Sequence, residues 1–171
     1  MGRGSAVVGV FLLCSALLIG GGKAGAMGFF DHPMTGKAAP SVRLQRLDGA
    51  EVDMVARIKD KPGIFFFWTT WCPHCREQIK ALNAKRAQIE KKGIVVEFID
   101  VGEDKETVEQ FLAGQKIADI NVLLDYHTAA SEIYAVYGVP SMYFIGPDGI
   151  IRDVQNTLPD NYEAILKKKL K

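Results

Sequence analysis

The chain is 171 residues long with 48% hydrophobic content, which suits one globular domain with a real core and leaves little length for a second. Its formal net charge is +1, and removing residues 1–26 takes away Arg3 and Lys23 but no acid, leaving −1; neither value supplies the basic face that nucleic-acid binding needs. Three cysteines are too few for a disulfide framework, so the closely spaced Cys72 and Cys75 read as redox or metal chemistry rather than reinforcement.

Residues 1–26 read as a signal peptide or membrane anchor. Arg3 gives a weak positive start, Val7–Ile19 an apolar core and Ala24-Gly25-Ala26 a cleavage site before Met27. An uncleaved anchor stays open, because Gly4 to Gly22 carries no charge and approaches the roughly 20 residues that span a bilayer. Cys14 follows Leu12 and Leu13 in the apolar core rather than a small residue, which disfavours lipidation. Residues 27–39 have no period and read as a linker, with His32 a solvated side chain in it. The folded domain is expected over residues 40–171.

Within that domain, Val42, Leu44 and Leu47 precede Asp48-Gly49, and Val52 and Met54 follow it, the pattern of a β-hairpin. Ile64 to Trp68 is an apolar run that fits a strand buried on both faces. A helix is expected from the cysteine motif to about Lys92, with Cys75, Ile79, Leu82 and Ile89 on one face and Gly93 ending it. A second central strand follows over Ile94–Val101, then a helix over Lys105–Leu112 and a short strand over Asn121–Leu124. A helix over Ala129–Val136 comes next. Strands over Ser141–Ile145 and Ile150–Val154 flank Pro147-Asp148-Gly149, and a closing helix covers Tyr162–Leu170.

The chemistry concentrates in Trp71-Cys72-Pro73-His74-Cys75. Cys72 is expected at the helix N-cap and Pro73 at the first helical position, where its missing N–H costs nothing. Cys75, one turn on, then faces the same side at a separation a disulfide can bridge. The Cys72 sulfur faces the positive end of the helix dipole and the free N–H groups of the first turn; both favour the thiolate, which makes Cys72 the nucleophile and Cys75 the resolving thiol. An imidazolium at His74 would stabilise the reduced form and make the couple more oxidising; the alternative is a neutral surface histidine. Zinc is the rival for a CxxC pair, but a structural site takes four protein ligands, no second CxxC or HxxxH occurs, and His127 is isolated. No metal and no cofactor is expected.

The segments GKAAPSVRLQRLDG, FFFWTTWCPHC and YAVYGVPSMYFIGPDGII together resemble the TlpA/ResA-like thioredoxin-fold proteins of bacterial envelopes, which are related to the AhpC/TSA redoxins. The resemblance covers nearly everything from Gly36 onward. It implies an α/β thioredoxin-like fold: a central mixed sheet flanked by helices, an N-terminal β-hairpin, and a family-type helix and strand inserted over Glu103–Leu124. It also implies that Pro140 is the cis-proline facing the active-site disulfide, with the Val139 backbone free to pair with an extended substrate strand. The implied activity is thiol:disulfide exchange with cysteines of exported proteins, in the periplasm or at the extracytoplasmic face of the inner membrane, with a membrane redox partner as a further candidate.

Two positions depart from the family pattern. Phe66 stands where thioredoxins place a buried aspartate, and Gln78 where ResA-like reductases place a glutamate, while helical spacing turns Glu77 away from the Cys75 face. The CPHC motif instead resembles that of DsbA, an oxidant. Scaffold and motif therefore point in opposite redox directions across a scale of about −270 to −120 mV, a gap of about 7 kcal/mol for two electrons. The alternatives are a TlpA/ResA-type reductase in cytochrome c maturation, a peroxiredoxin-like peroxidase, and a non-enzymatic copper or haem-pathway chaperone. Thr69 and Cys72 fit TxxC of the peroxidase motif, but Phe65 occupies its proline position.

Overall fold

The structure, a computed structural model, describes residues 1–2 and 32–170. The expected leader, its Cys14 and the linker up to residue 31 lie outside the described residues. Seven strands form one mixed sheet: β1 (Arg43–Arg46), β2 (Glu51–Asp53), β3 (Gly63–Trp68), β4 (Val95–Val101), β5 (Val122–Asp125), β6 (Ser141–Ile145) and β7 (Ile151–Gln155). Their spatial order is β2-β1-β5-β4-β3-β6-β7. The three central strands β5, β4 and β3 run parallel, and all the outer pairings are antiparallel. This is the mixed sheet and N-terminal hairpin that the resemblance implies.

Strand β3 lies between β4 and β6, so both its faces are covered and all six of its residues are buried. The pleat sends Ile64, Phe66 and Trp68 into one core cluster and Phe65 and Phe67 into the other. On the first face, Cys75, Ile79, Leu82 and Ile89 of α1 (Pro73–Lys91) pack with Val108 and Leu112 of α2 (Lys105–Gly114) and Tyr162 and Leu166 of α4 (Tyr162–Lys167). On the second, Ala130 of α3 (Ala129–Ile133) packs with Tyr134, Tyr143, Leu44 and Met54. Helix α1 ends as expected, with Gly93 at φ +77° just past its C-cap, a backbone conformation that costs glycine nothing.

Four expectations need correction. His32 is no solvated linker residue, and the folded part does not wait for Pro40. The His32 ring meets Tyr143 edge-on at 5.4 Å between centroids. Its Nε2 lies 3.1 Å from the Ala135 carbonyl while its Nδ1 accepts from the Met34 N–H at 3.2 Å, which assigns the proton to Nε2 and keeps the ring neutral. Burial accordingly holds its pKa below the ordinary histidine value, against an upward pull from the Ala135 backbone hydrogen bond. Residues 36–39 then lie along β7, with Gly36 N–H donating to the Ile151 carbonyl, Ile151 N–H to Lys37, and Ala39 N–H to Gly149.

Helix α3 stops at Ile133 instead of continuing to Val136. Ala135 adopts φ +55°, the Tyr134 carbonyl is taken by the Tyr143 hydroxyl at 2.7 Å, and Val136 N–H reaches back to Ser131. These contacts replace the next helical turn and send the chain toward Val139. Helix α4 ends at Lys167 rather than Leu170, with Lys168 extended at ψ 124°; a run of three lysines from 167 to 169 places like charges side by side at that end.

Candidate active site

Parallel strands bring the carboxyl ends of β3, β4 and β5 to one edge of the sheet, the usual place for ligands in such folds. The Thr69–Trp71 turn leaves β3 there and delivers Cys72 to the N-cap of α1. The Cys72 Sγ accepts a hydrogen bond from the Cys75 N–H at 3.3 Å, so the sulfur sits on the free donors of the first helical turn. Pro73 occupies the first turn, where no acceptor awaits its nitrogen. Both cysteines are thiols in this structure. Cys72 keeps 6% of its surface exposed and Cys75 none.

Burial pushes the Cys75 thiol up to about 12, reinforced by its hydrogen bond with the Cys72 sulfur and opposed by a hydrogen bond with the Thr69 backbone. The two sulfurs are thereby made unequal, the outer one on helix donors and the inner one shielded. Across from them, the Cys72 Sγ donates to the Val139 carbonyl at 3.6 Å, and the Val139–Pro140 bond is cis. Val139 is half-buried and Pro140 buried.

Val139 borders two clefts. One, of about 540 Å³, is lined by Thr69 and Trp71 on one side and by Glu132, Val136, Tyr137 and Val139 on the other. The other, of about 340 Å³, lies among His74, Gln78, Pro140 and Asn156. Trp71 and Tyr137 present most of their surface to solvent, which leaves large apolar faces beside the reactive sulfur. His74 is 82% exposed, with Nδ1 3.7 Å from a Glu77 carboxylate oxygen. That carboxylate offsets part of any imidazolium charge, so the influence of His74 on Cys72 is smaller than a lone cation would exert.

The departures noted in the sequence are visible here. Phe66 is wholly buried and meets Phe98 edge-on at 6.0 Å. Gln78 accepts from the Leu158 N–H at 3.4 Å and offers no acid to Cys75. Sequence reading missed Thr70, Arg76, Asp100 and Glu103, which form a polar network behind the motif: both donors of Thr70 reach Glu103, and the Arg76 Nε donates to the Thr70 carbonyl. The available signal was an acid at position 100 inside a run otherwise read as a buried strand. Among the described residues no group of three or more His, Cys, Asp or Glu side chains is placed to hold a metal ion.

Residues 35–154 match the AhpC/TSA family. The chain is 24% identical over 127 residues to the thiol-disulfide oxidoreductase ResA of Bacillus subtilis, covering 74% of this chain and 70% of that protein. It is 29% identical over 120 residues to the thiol:disulfide interchange protein DsbE of Pseudomonas fluorescens, covering 70% of this chain and 65% of the relative. Among solved structures, a thiol:disulfide interchange protein DsbE from Chlorobium tepidum superposes with a TM-score of 0.67 at 25% identity, over 78% of this chain and 93% of that one.

Proposed function

This chain belongs to the AhpC/TSA family, and from that premise we propose that Cys72 and Cys75 form a dithiol/disulfide couple that exchanges disulfides with cysteines of exported proteins. At the coarser level it is a thiol-disulfide oxidoreductase of the ResA/DsbE type. The observation that carries the finer reading is the inequality of the two sulfurs: Cys72 on the N-cap donors with an opening to solvent, Cys75 sealed one turn below.

In the reducing direction, the Cys72 thiolate attacks one sulfur of a substrate disulfide, forming a mixed disulfide and releasing the other substrate sulfur as a thiolate. Cys75 then attacks the Cys72 sulfur, giving its proton to the departing substrate thiolate and leaving a Cys72–Cys75 disulfide. Two electrons pass to the substrate, and the oxidising direction is the same sequence reversed. Val139, half-buried beside the sulfur, supports an extended substrate strand there, and Trp71 with Tyr137 supports apolar side chains next to the substrate cysteine. The export-type leader read from residues 1–26 supports an extracytoplasmic setting.

Because resolution needs Cys75, a Cys75→Ser variant is expected to accumulate a mixed disulfide through Cys72 when mixed with a disulfide-bearing protein, while Cys72→Ser accumulates little. Non-reducing electrophoresis with peptide mapping reads the adduct. Equal accumulation by both variants contradicts the assigned roles.

A further inference from the structure

The turns that leave β3 and β4 touch at the edge of the sheet that carries the motif, through contacts that the exchange steps leave unused. The Thr70 N–H and hydroxyl donate to the two oxygens of the Glu103 carboxylate at 2.5 and 2.6 Å. The Thr70 carbonyl accepts from the Arg76 Nε at 2.6 Å. Thr70 is thus held on both its polar sides, two residues before Cys72 and next to Thr69, whose backbone hydrogen-bonds the Cys75 sulfur. Glu103 in turn leans on Asp100: its N–H donates to Asp100 Oδ1 at 3.2 Å, and its carboxyl group adds to the upward push on the Asp100 carboxyl.

Asp100 is fully buried, and its Oδ2 finds no donor among the described residues. An ionised carboxylate in that position would be both unsolvated and beside a second negative charge. A proton on Asp100 removes both difficulties, because the protonated carboxyl becomes a donor and the Glu103 carboxylate is its acceptor.

We propose that Asp100 and Glu103 share one proton and in that state position the Thr69–Cys72 turn for exchange. The inference rests on the exchange reading of Cys72 and Cys75 given above. Glu103 keeps its charge on the two Thr70 donors as long as Asp100 stays protonated. Burial first, and then the contact with Glu103 and its charge, push the Asp100 carboxyl up to about 8. Below that range the pair holds a single negative charge and the grip on Thr70 is intact. Above it the two carboxylates repel, and Glu103, the less buried of the two, is the one free to withdraw from Thr70.

The other charged and titratable groups around the pair are few. Asp104 at the N-cap of α2 adds to the upward push on Asp100. Arg76 of α1 is engaged with the Thr70 carbonyl. Asp125 at the end of β5 has both oxygens committed to the Ala130 and Ser131 amides and the Ser131 hydroxyl. None of these places a countercharge on Asp100 that would hold it ionised.

The test is the pH profile, from 6 to 9.5, of Cys72 alkylation by iodoacetamide and of exchange with oxidised glutathione, using the full reduced chain. Alkylation reads the turn without requiring exchange. The wild-type rate is expected to fall below a single-ionisation curve above about pH 8, by about three- to tenfold, within the roughly 10² that a 1 Å misplacement can cost. Asp100→Asn, isosteric and neutral, should keep the rate at pH 7 and lose the break. Glu103→Gln, which leaves no second carboxylate to repel Asp100, should likewise lose the break, and it carries the test if Asp100→Asn does not fold. Superimposable profiles for the wild type and the folded variants would overturn the inference. A break in alkylation without exchange at any pH would instead overturn the exchange reading and leave the hold of the pair on the turn standing.

Discussion

Cys72→Ala is expected to lower thiol-disulfide exchange at neutral pH by at least about 10³-fold while leaving the fold intact. The only other sulfur in the described site is Cys75, which has no exposed surface. Its thiol is pushed up to about 12 by burial first and by the hydrogen bond with the Cys72 sulfur second. The first of these causes survives the substitution. At pH 7 a thiol held up by burial presents far less thiolate than a free cysteine near 8.5, and a substrate would still have to reach it past the first turn of α1. Turnover of oxidised glutathione, with the thermal midpoint as a control for folding, measures the loss. A residual rate within about tenfold of the wild type would mean that Cys75 can initiate exchange by itself.

Phe67→Ala is expected to cost about 3–5 kcal/mol of stability, the usual range for emptying a buried phenylalanine site. Phe67 is completely buried, on the face of β3 away from α1. Its ring meets Tyr134 at 5.5 Å and Tyr143 edge-on at 5.3 Å. Little can collapse into the space, because the Tyr143 hydroxyl is tied to the Tyr134 carbonyl and the Tyr134 hydroxyl to the Pro40 carbonyl. At roughly 2–4 °C per kcal/mol for a domain of this size, the melting midpoint should fall by about 10 °C. The same tyrosines anchor the Ala135 turn that leads to Val139, so exchange should weaken before the fold is lost. A loss under about 1 kcal/mol in urea titration, the size expected at a surface site, would show that this face is not the packed layer described here.

What could be read in advance follows from how local each signal is. The run Ile64–Trp68 announces a doubly covered strand because burial on both faces leaves no room for polar alternation. Cys75, Ile79, Leu82 and Ile89 announce the buried stripe of α1, and Pro73 with Gly93 marks its two ends. The cysteine motif carries its own geometry, since a helix N-cap and the position one turn on fix which sulfur is outer. Pro140 and Val139 were located by resemblance alone, because nothing in the residues around them states that they face a site about 67 positions earlier in the chain.

The rest depends on partners distant in sequence. His32 belongs to the domain because Ala135 and Tyr143 are there to receive it, and a short stretch of Gly, Pro and polar residues gives no sign of that. Ala135 ends α3 in a left-handed conformation that its identity does not advertise. Glu97 and Asp100 are both acids inside β4, and their presence in a buried strand was visible. Only the fold shows that Glu97 pairs with Arg57, 40 positions away in the chain, while Asp100 meets Glu103 behind the motif.

The central claim is that Cys72 and Cys75 act together as one two-electron couple, and equilibration of the reduced chain with glutathione buffers tests it most directly. The fraction oxidised should follow a two-electron curve, tenfold in equilibrium constant for about every 30 mV, with a midpoint between about −270 and −120 mV. Peptide mapping of the product should find an intramolecular Cys72–Cys75 disulfide. A chain that only acquires glutathione on a single cysteine, with one-thiol stoichiometry and no intramolecular disulfide at any ratio of the buffer, would contradict the account.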